Sequence, residues 1–430
     1  MIQRPFFNLG KRPRLLYSVL SQDAVGTVKD LPPPDRAVLF YKGPEPTGAN
    51  ISIERGNVVR TGQRLLLKSG TAAPLVATVT GRIADISSQR GDLGKIYSSI
   101  SIDTNPCDEQ DEEFAKIHKE GSPEQMFDYL EALPGMPFLS PLLPKGGHPV
   151  RTLVVSGMDR DLLITSNQFL LKTETASLAE SLQRLKEITG VERIVMAVPP
   201  GSVSDAQKTG AEVSVVRPFY PNGNPRLIVR KVLKKAVPMN KSLEEGGIAF
   251  LGVDALMALY PALVKGEIPT HRVITVIAKN RVSVHARVRV GTPVKKVLEA
   301  LEIETGHGDR VVIGGPMTGR PLYGEDEAVL FDTEGIFVQD SSDVLPVSDT
   351  HCLNCGECVR ACPARIPVNV LVRFLENRLY QDAVDPCDLL YCIECGLCSF
   401  VCPARIPIFH YITLGKYEFA QQMAEEAAHA

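Results

Sequence analysis

Near its C-terminus the chain reads His351-Cys352-Leu-Asn-Cys355-Gly-Glu-Cys358-Val-Arg-Ala-Cys362-Pro363, and then Tyr391-Cys392-Ile-Glu-Cys395-Gly-Leu-Cys398-Ser-Phe-Val-Cys402-Pro403. Eight of the ten cysteines fall into two copies of C-x2-C-x2-C-x3-C-P. Two-residue gaps turn the chain tightly enough for three sulfurs to converge while backbone N–H groups point back at them. Gly356 and Gly396 supply the permissive backbone such turns need. Pro363 and Pro403 end each short helix and redirect the chain.

Runs of this kind hold iron–sulfur cubanes, three close thiolates serving one cluster and the fourth reaching the other. The spacing therefore predicts two [4Fe–4S] clusters. One takes Cys352, Cys355, Cys358 and Cys402, the other Cys392, Cys395, Cys398 and Cys362. Zinc and disulfides are the competing readings. Structural zinc usually draws on two C-x2-4-C pairs rather than a triplet with a distant fourth cysteine and a proline. Cys107 and Cys387 lie outside both motifs and read as bystanders, and His351 and His410 as neighbours of a set already complete in cysteine. Arg360, Arg365 and Arg405 would offset anionic clusters, meet an acidic redox partner, or stand as solvated charge.

At 430 residues the chain has room for several domains. A net charge of −3, without any Lys/Arg block, gives no support for nucleic acid as a partner. The stretch Met1 to Leu20 lacks the apolar core of a signal peptide. Gly247 to Leu263 is the longest apolar stretch and is too short to span a bilayer. Eight cysteines set aside for iron point to a reducing compartment, hence a cytoplasmic-side chain.

The expected fold class is multidomain α/β plus β. Residues 1–35 form an Arg/Pro-rich irregular arm. Residues 36–105 alternate short β runs with glycine turns and look like a lipoyl-type barrel-sandwich hybrid, in which Lys68 lacks the surroundings of a carrier lysine. Residues 106–149 are an acidic, proline-rich linker with one helix, opened by the capping box Ser122-Pro-Glu-Gln125; Leu133 to Val150 reads as extended loop. Residues 150–267 alternate strand and helix, as a mostly parallel sheet covered by helices does. Residues 268–345 read as a β-grasp module, with a hairpin turning at Lys279-Asn280. Residues 346–430 are the helical, ferredoxin-type cluster domain.

Taken together, this order of parts resembles the C subunit of Rnf electron-transport complexes, with features of the A subunit of sodium-pumping NADH:quinone reductases. The twin cysteine motifs carry the resemblance first, then Tyr220-Pro-Asn-Gly223-Asn-Pro-Arg-Leu, Ile313-Gly-Gly-Pro-Met-Thr-Gly319 and Val290-Gly291-Thr292-Pro293-Val294. It implies a barrel-sandwich domain, a flavin-domain-like α/β core, a β-grasp (SLBB-like) domain and a two-cluster domain. It also implies integral membrane subunits of an Rnf/Nqr-like complex as partners, with a ferredoxin, flavoprotein or other redox protein as donor or acceptor. A cytoplasmic place, peripheral on the inner face of the cell membrane, is likewise what the resemblance implies. The family's Gly-Gly-x-Gly-Phe-Pro loop, associated with FMN and NADH, is replaced here by Pro134-Gly-Met-Pro-Phe-Leu-Ser-Pro141 and Lys145-Gly-Gly-His-Pro149. Where the family continues Asn-x-x-Glu-Cys-Glu-Pro, this chain has Ser156-Gly-Met-Asp159-Arg-Asp161-Leu. Prolines donate no amide to a phosphate or flavin.

Candidate cofactor contacts outside the cysteines are Asp159 and Asp161, at the C-terminal end of a strand, and the glycine loop at Gly314 and Gly315. Their structural alternatives are a solvated loop and a tight turn. Three functions follow as hypotheses: an electron-transfer subunit relaying electrons through two clusters, an FMN-dependent NADH-oxidising subunit, or a scaffold in which the clusters are structural.

Overall fold

The computed structural model describes residues 14–20, 25–41, 53–65, 75–90, 96–143, 150–239, 241–324, 327–348 and 350–429. Lys68 and the stretch Lys145–Pro149 lie outside the described residues.

In the N-terminal unit β2 (Arg36–Tyr41), β7 (Ile96–Thr104), β6 (Gly81–Arg90) and β3 (Val58–Val59) form an antiparallel sheet, and β4 (Arg64–Leu65) pairs with β5 (Leu75–Val76). Alternation along β2 and β7 turns Ala37, Leu39, Ile100 and Ile102 into one small core with Val59, Leu65 and Ile83. This unit docks on the chain further along, where Val38 N donates to Gly291 O at 2.8 Å and Thr78 Oγ1 to Val290 O at 2.7 Å.

The linker carries two helices, not one. Besides α2 (Pro123–Glu131), with its capping box in place, α1 (Glu113–Glu120) forms and buries Phe114. Its acidic setting made it read as connection. Leu139, Leu142 and Leu143 are buried too, so the stretch read as extended loop packs into the main core through a short helical turn at Ser140–Leu142.

The α/β core is a four-stranded parallel sheet in the order β10 (Glu212–Val215), β9 (Arg193–Val198), β8 (Thr152–Ser156), β11 (Ile248–Gly252). Helices α3 (Ser166–Thr173), α4 (Thr175–Thr189), α5 (Val203–Gln207), α6 (Pro225–Leu233) and α7 (Val253–Tyr260) connect it. The chain runs from β8 through β9 to β10 on one side and returns to β11 on the other. The carboxyl ends of β8 and β11 therefore flank a switch in strand order, the place where open α/β sheets bind ligands.

A six-stranded mixed sheet follows, ordered β1 (Lys29–Asp30), β13 (Ser283–Arg289), β12 (His271–Ile277), β16 (Gly335–Gln339), β14 (Arg310–Ile313), β15 (Arg320–Pro321). Helix α8 (Val294–Ala300) packs Val294, Val297 and Leu298 into its core. Strand β1 comes from the N-terminal arm and pairs with β13, while Leu16 further back makes an isolated bridge to Phe219.

The last unit is helical and doubled. Helices α9 (Glu357–Ala361) and α10 (Val368–Glu376) recur 40 residues on (397 − 357 and 408 − 368) as α11 (Leu397–Val401) and α12 (Ile408–His429). Each half contains Cys-Pro-Ala-Arg-Ile-Pro, at 362–367 and 402–407. In both, the same positions take left-handed backbone: Asn354 and Glu394, Gly356 and Gly396, Arg365 and Arg405.

Candidate metal centre

In each half the cysteine loop is irregular and is closed by a five-residue helix. Asn354 N donates to Cys352 Sγ at 3.4 Å, and Glu394 N to Cys392 Sγ at the same distance. The backbone N–H groups of Val359, Leu397 and Ser399 likewise point at Cys358, Cys395 and Cys398. Such donors stabilise negative charge on sulfur.

Cys352, Cys355 and Cys358 line one small cavity together with Cys402, from the other half-motif. This is the quartet that the spacing assigns to one cluster. The second set shows itself in its electrostatics. Burial pushes the Cys395 thiol up to about 12, with Cys392 and Cys362 adding to the shift. Burial raises Cys392 as well, and Cys362 contributes there too. Cys358 is likewise raised to about 12 by burial first, then by Cys352, Cys355 and Cys402. Cys358 also acts on Cys398, so the two sets adjoin.

No cysteine is in a disulfide. Gathering thiolates this closely is unfavourable unless a cationic centre offsets their charge, so without one these cysteines would stay protonated. Among the described residues no three His, Cys, Asp or Glu close around a single metal ion. The donor set, its N–H shell and the four-cysteine cavity fit iron–sulfur clusters.

The two halves differ in what surrounds them. The loop 392–396 is held by other parts of the chain. Tyr220 Oη donates to Cys395 O at 2.7 Å, Asn224 Nδ2 to Ile393 O at 3.1 Å, and Lys416 Nζ to Cys392 O at 2.7 Å. A Cβ on Gly396 would collide with the Met317 carbonyl oxygen. The loop 352–356 has none of these neighbours; Leu353 there is 61% exposed. Thus the two stretches of distinctive sequence upstream, around Tyr220 and Met317, converge on the second cysteine loop.

Asp161 fixes the Met317 loop from the other side. Its carboxylate accepts from Thr318 N at 2.7 Å, Thr318 Oγ1 at 2.8 Å and Met317 N. The loop is a closed turn, Gly319 N donating to Gly315 O, and a Cβ on Gly315 would sit 2.6 Å from Asp161. Gly314 takes φ +103° beside Gly319. Asp159 accepts from Asn167 N and Gln168 Nε2, both at 2.8 Å. Neither aspartate is in a solvated loop: both are buried and both carboxylates are spent on the chain's own donors.

Cys107 is exposed, and Cys387 is fully buried in the helical core. His351 and His410 are exposed, and partial desolvation, with Arg310 nearby, lowers the pKa of His410. Arg360 donates to Cys355 O and pairs with Glu357, while Arg365 and Arg405 lie exposed. Lys416 was not found by sequence reasoning. It is one cation in a long helix, and no local pattern marks it.

A doubled set of clustered cysteines docked on an α/β core has the donor chemistry that iron–sulfur clusters use. No protein-family model matches the chain. The chain is 24% identical over 372 residues to the C subunit of an ion-translocating oxidoreductase complex of Buchnera aphidicola, covering 81% of this chain and 77% of that one. It is 25% identical over 366 residues to the protein of that name in Erwinia tasmaniensis, covering 79% of this chain and 44% of that one. Relatives in Pectobacterium carotovorum and Cronobacter sakazakii are matched over 51% and 46% of their length, so the chain spans about half of several of its curated relatives. Among solved structures, an NAD+-reducing [NiFe]-hydrogenase in the air-oxidized state aligns over 56% of this chain and 50% of that one, at 10% identity and a TM-score of 0.38.

Proposed function

We propose that this chain is the iron–sulfur electron-transfer subunit of a membrane-associated, ion-translocating oxidoreductase of the Rnf type. The four-cysteine cavity, drawing Cys402 from one half-motif and three cysteines from the other, carries the reading. When bound, two [4Fe–4S] clusters would supply one-electron transfer without bond chemistry. The chain's own residues hold the thiolates, aim N–H groups at them and fix their surroundings. Tyr220, Asn224 and Met317 anchor the second loop to the parts of the chain upstream and Lys416 ties it to the last helix, so that end is the internal one. The first quartet, beside the exposed Leu353, is the end open to a redox partner. The names of the curated relatives support an ion-translocating oxidoreductase complex as the setting, and its partners there would be integral membrane subunits. No helix among the described residues is long and apolar enough to cross a membrane, and those partners would handle any ion. The first unit would be a barrel-sandwich hybrid and the six-stranded sheet a β-grasp (SLBB-like) module.

Anaerobic purification with iron, sulfide and flavin analysis tests this. About eight irons and eight sulfides per chain are expected from two cubanes, with spectra that cycle reversibly in a redox titration. Clusters that never cycle would leave only a scaffold. Bleaching by NADH alone would return the function to an NADH-oxidising subunit.

A further inference from the structure

The carboxyl edge of the parallel sheet is already filled. Residues 14–20 lie across the loops that follow β8, β9 and β10. Gln168 Nε2 donates to Ser18 O at 2.9 Å and Gln168 Oε1 accepts from Leu20 N at 3.2 Å. Tyr17 N donates to Pro218 O, Tyr220 N donates to Leu15 O, and Leu16 bridges Phe219. Val19 lies 3.8 Å from where a Cβ on Gly201 would be. Tyr17 is only 3% exposed, and its hydroxyl accepts from Gly223 N at 3.0 Å.

Open sheets of this kind take a phosphate-bearing ligand at this edge, with backbone N–H groups and helix N-termini facing the phosphates. Here those donors have partners. Asp159 accepts from Asn167 N at the start of α3, Asn167 Oδ1 from Asp254 N at the start of α7, and Asn224 Oδ1 from Arg226 N at the start of α6. The same edge carries Asp159, Asp161 and Asp254, all buried and already committed to partners within the chain, so they offer a phosphate no donor. The flavin implied by the resemblance does not fit this edge.

We propose that the N-terminal segment 14–20 takes the place of a flavin or nucleotide in this crevice and serves as an internal support for the second cysteine loop. The path is short. The Tyr17 ring packs on Tyr220 with centroids 5.5 Å apart, and Tyr220 donates to Cys395 O. Tyr17 is thus a positioning residue that acts through Tyr220. The inference rests on the proposed function for the meaning of the second loop, but not for the occupancy of the crevice.

The test is a fluorescence titration with FMN on three forms: the full chain, Tyr17→Ala, and a chain lacking residues 1–24. It is paired with electron paramagnetic resonance of the reduced clusters. Expected are no saturable FMN quenching by any form, and a changed line shape for one cluster of two in Tyr17→Ala, with iron retained. Tyr17→Phe, which keeps the ring, should restore most of the native line shape. One-to-one FMN binding by the full chain would overturn the proposal. Binding that appears only in the shortened chain would overturn it as well, because the segment would then be a displaceable lid. An unchanged spectrum in Tyr17→Ala removes the supporting role. Should the shortened chain fail to fold, the two Tyr17 variants in the full chain still decide. A preparation without iron defeats the proposed function but leaves the FMN titration readable.

Discussion

Asp159 is a buried carboxyl with two donors on it and acids around it. Burial is the main cause that pushes it up to about 8, with Glu334 and Asp254 adding and the donors Gln168 and Asn167 opposing. Glu334 is raised too, again by burial first, although Arg160 and Arg272 pull it down. Arg272 forms a buried pair with Asp254, which limits what Asp254 can do to its neighbours. A carboxyl whose folded pKa lies above its unfolded value, about 3.9 for Asp, holds a proton that the unfolded chain releases. Stability from this source is complete below that unfolded value and is lost as pH rises toward about 8. The slope approaches about 1.4 kcal/mol per pH unit for one proton. Urea midpoints of the native chain should fall between pH 5 and pH 8 (a range read from these two limits), and Asp159→Asn should flatten the fall. A variant whose pH profile overlays the native one would show that Asp159 titrates normally.

Among the elements, α2 was legible because its signal is local. Ser122 Oγ accepts from Gln125 N at 3.3 Å and Gln125 Oε1 from Ser122 N at 2.9 Å, the reciprocal pair the sequence announces. Ser122→Ala should cost about 1 kcal/mol by denaturant melts, without change in iron content, since α2 touches neither cysteine loop. A loss of iron in this variant would contradict the division of the chain into cluster unit and support. Helix α3 was invisible for a physical reason. Its residues Ser166 to Leu171 are all buried, polar ones included, so no amphipathic period arises. Its polar residues serve as caps and as the seat of the N-terminal segment. The cysteine quartets were readable because a metal site of this kind is written in short spacings. Their support was not, because Tyr220 and Cys395 meet across 175 residues of sequence.

At the scale of the whole molecule, the doubled unit is symmetric in sequence and asymmetric in setting, and two glycines separate these effects. Gly356 and Gly396 occupy the same motif position with φ +74° and +70°. An alanine at either must adopt left-handed backbone, at a cost of about 1–2 kcal/mol. Beyond that they differ. A Cβ on Gly356 would meet only the flexible end of Arg360, at 3.3 Å, whereas one on Gly396 would overlap the Met317 carbonyl. That carbonyl cannot retreat freely, because Asp161 holds Met317 and Thr318 by three donors. Gly356→Ala should therefore keep its iron and lose only the backbone cost in stability. Gly396→Ala should push the second loop off the core, break its contacts with Tyr220 and Asn224, and lower iron toward half. Iron per chain and thermal melts of the two anaerobic proteins measure this directly. Equal losses in the two variants would mean that the loops are held by their clusters alone, and that the docked core does not position the second one. A larger loss in Gly396→Ala would identify the core as the part of the molecule that makes one half of a symmetric pair internal.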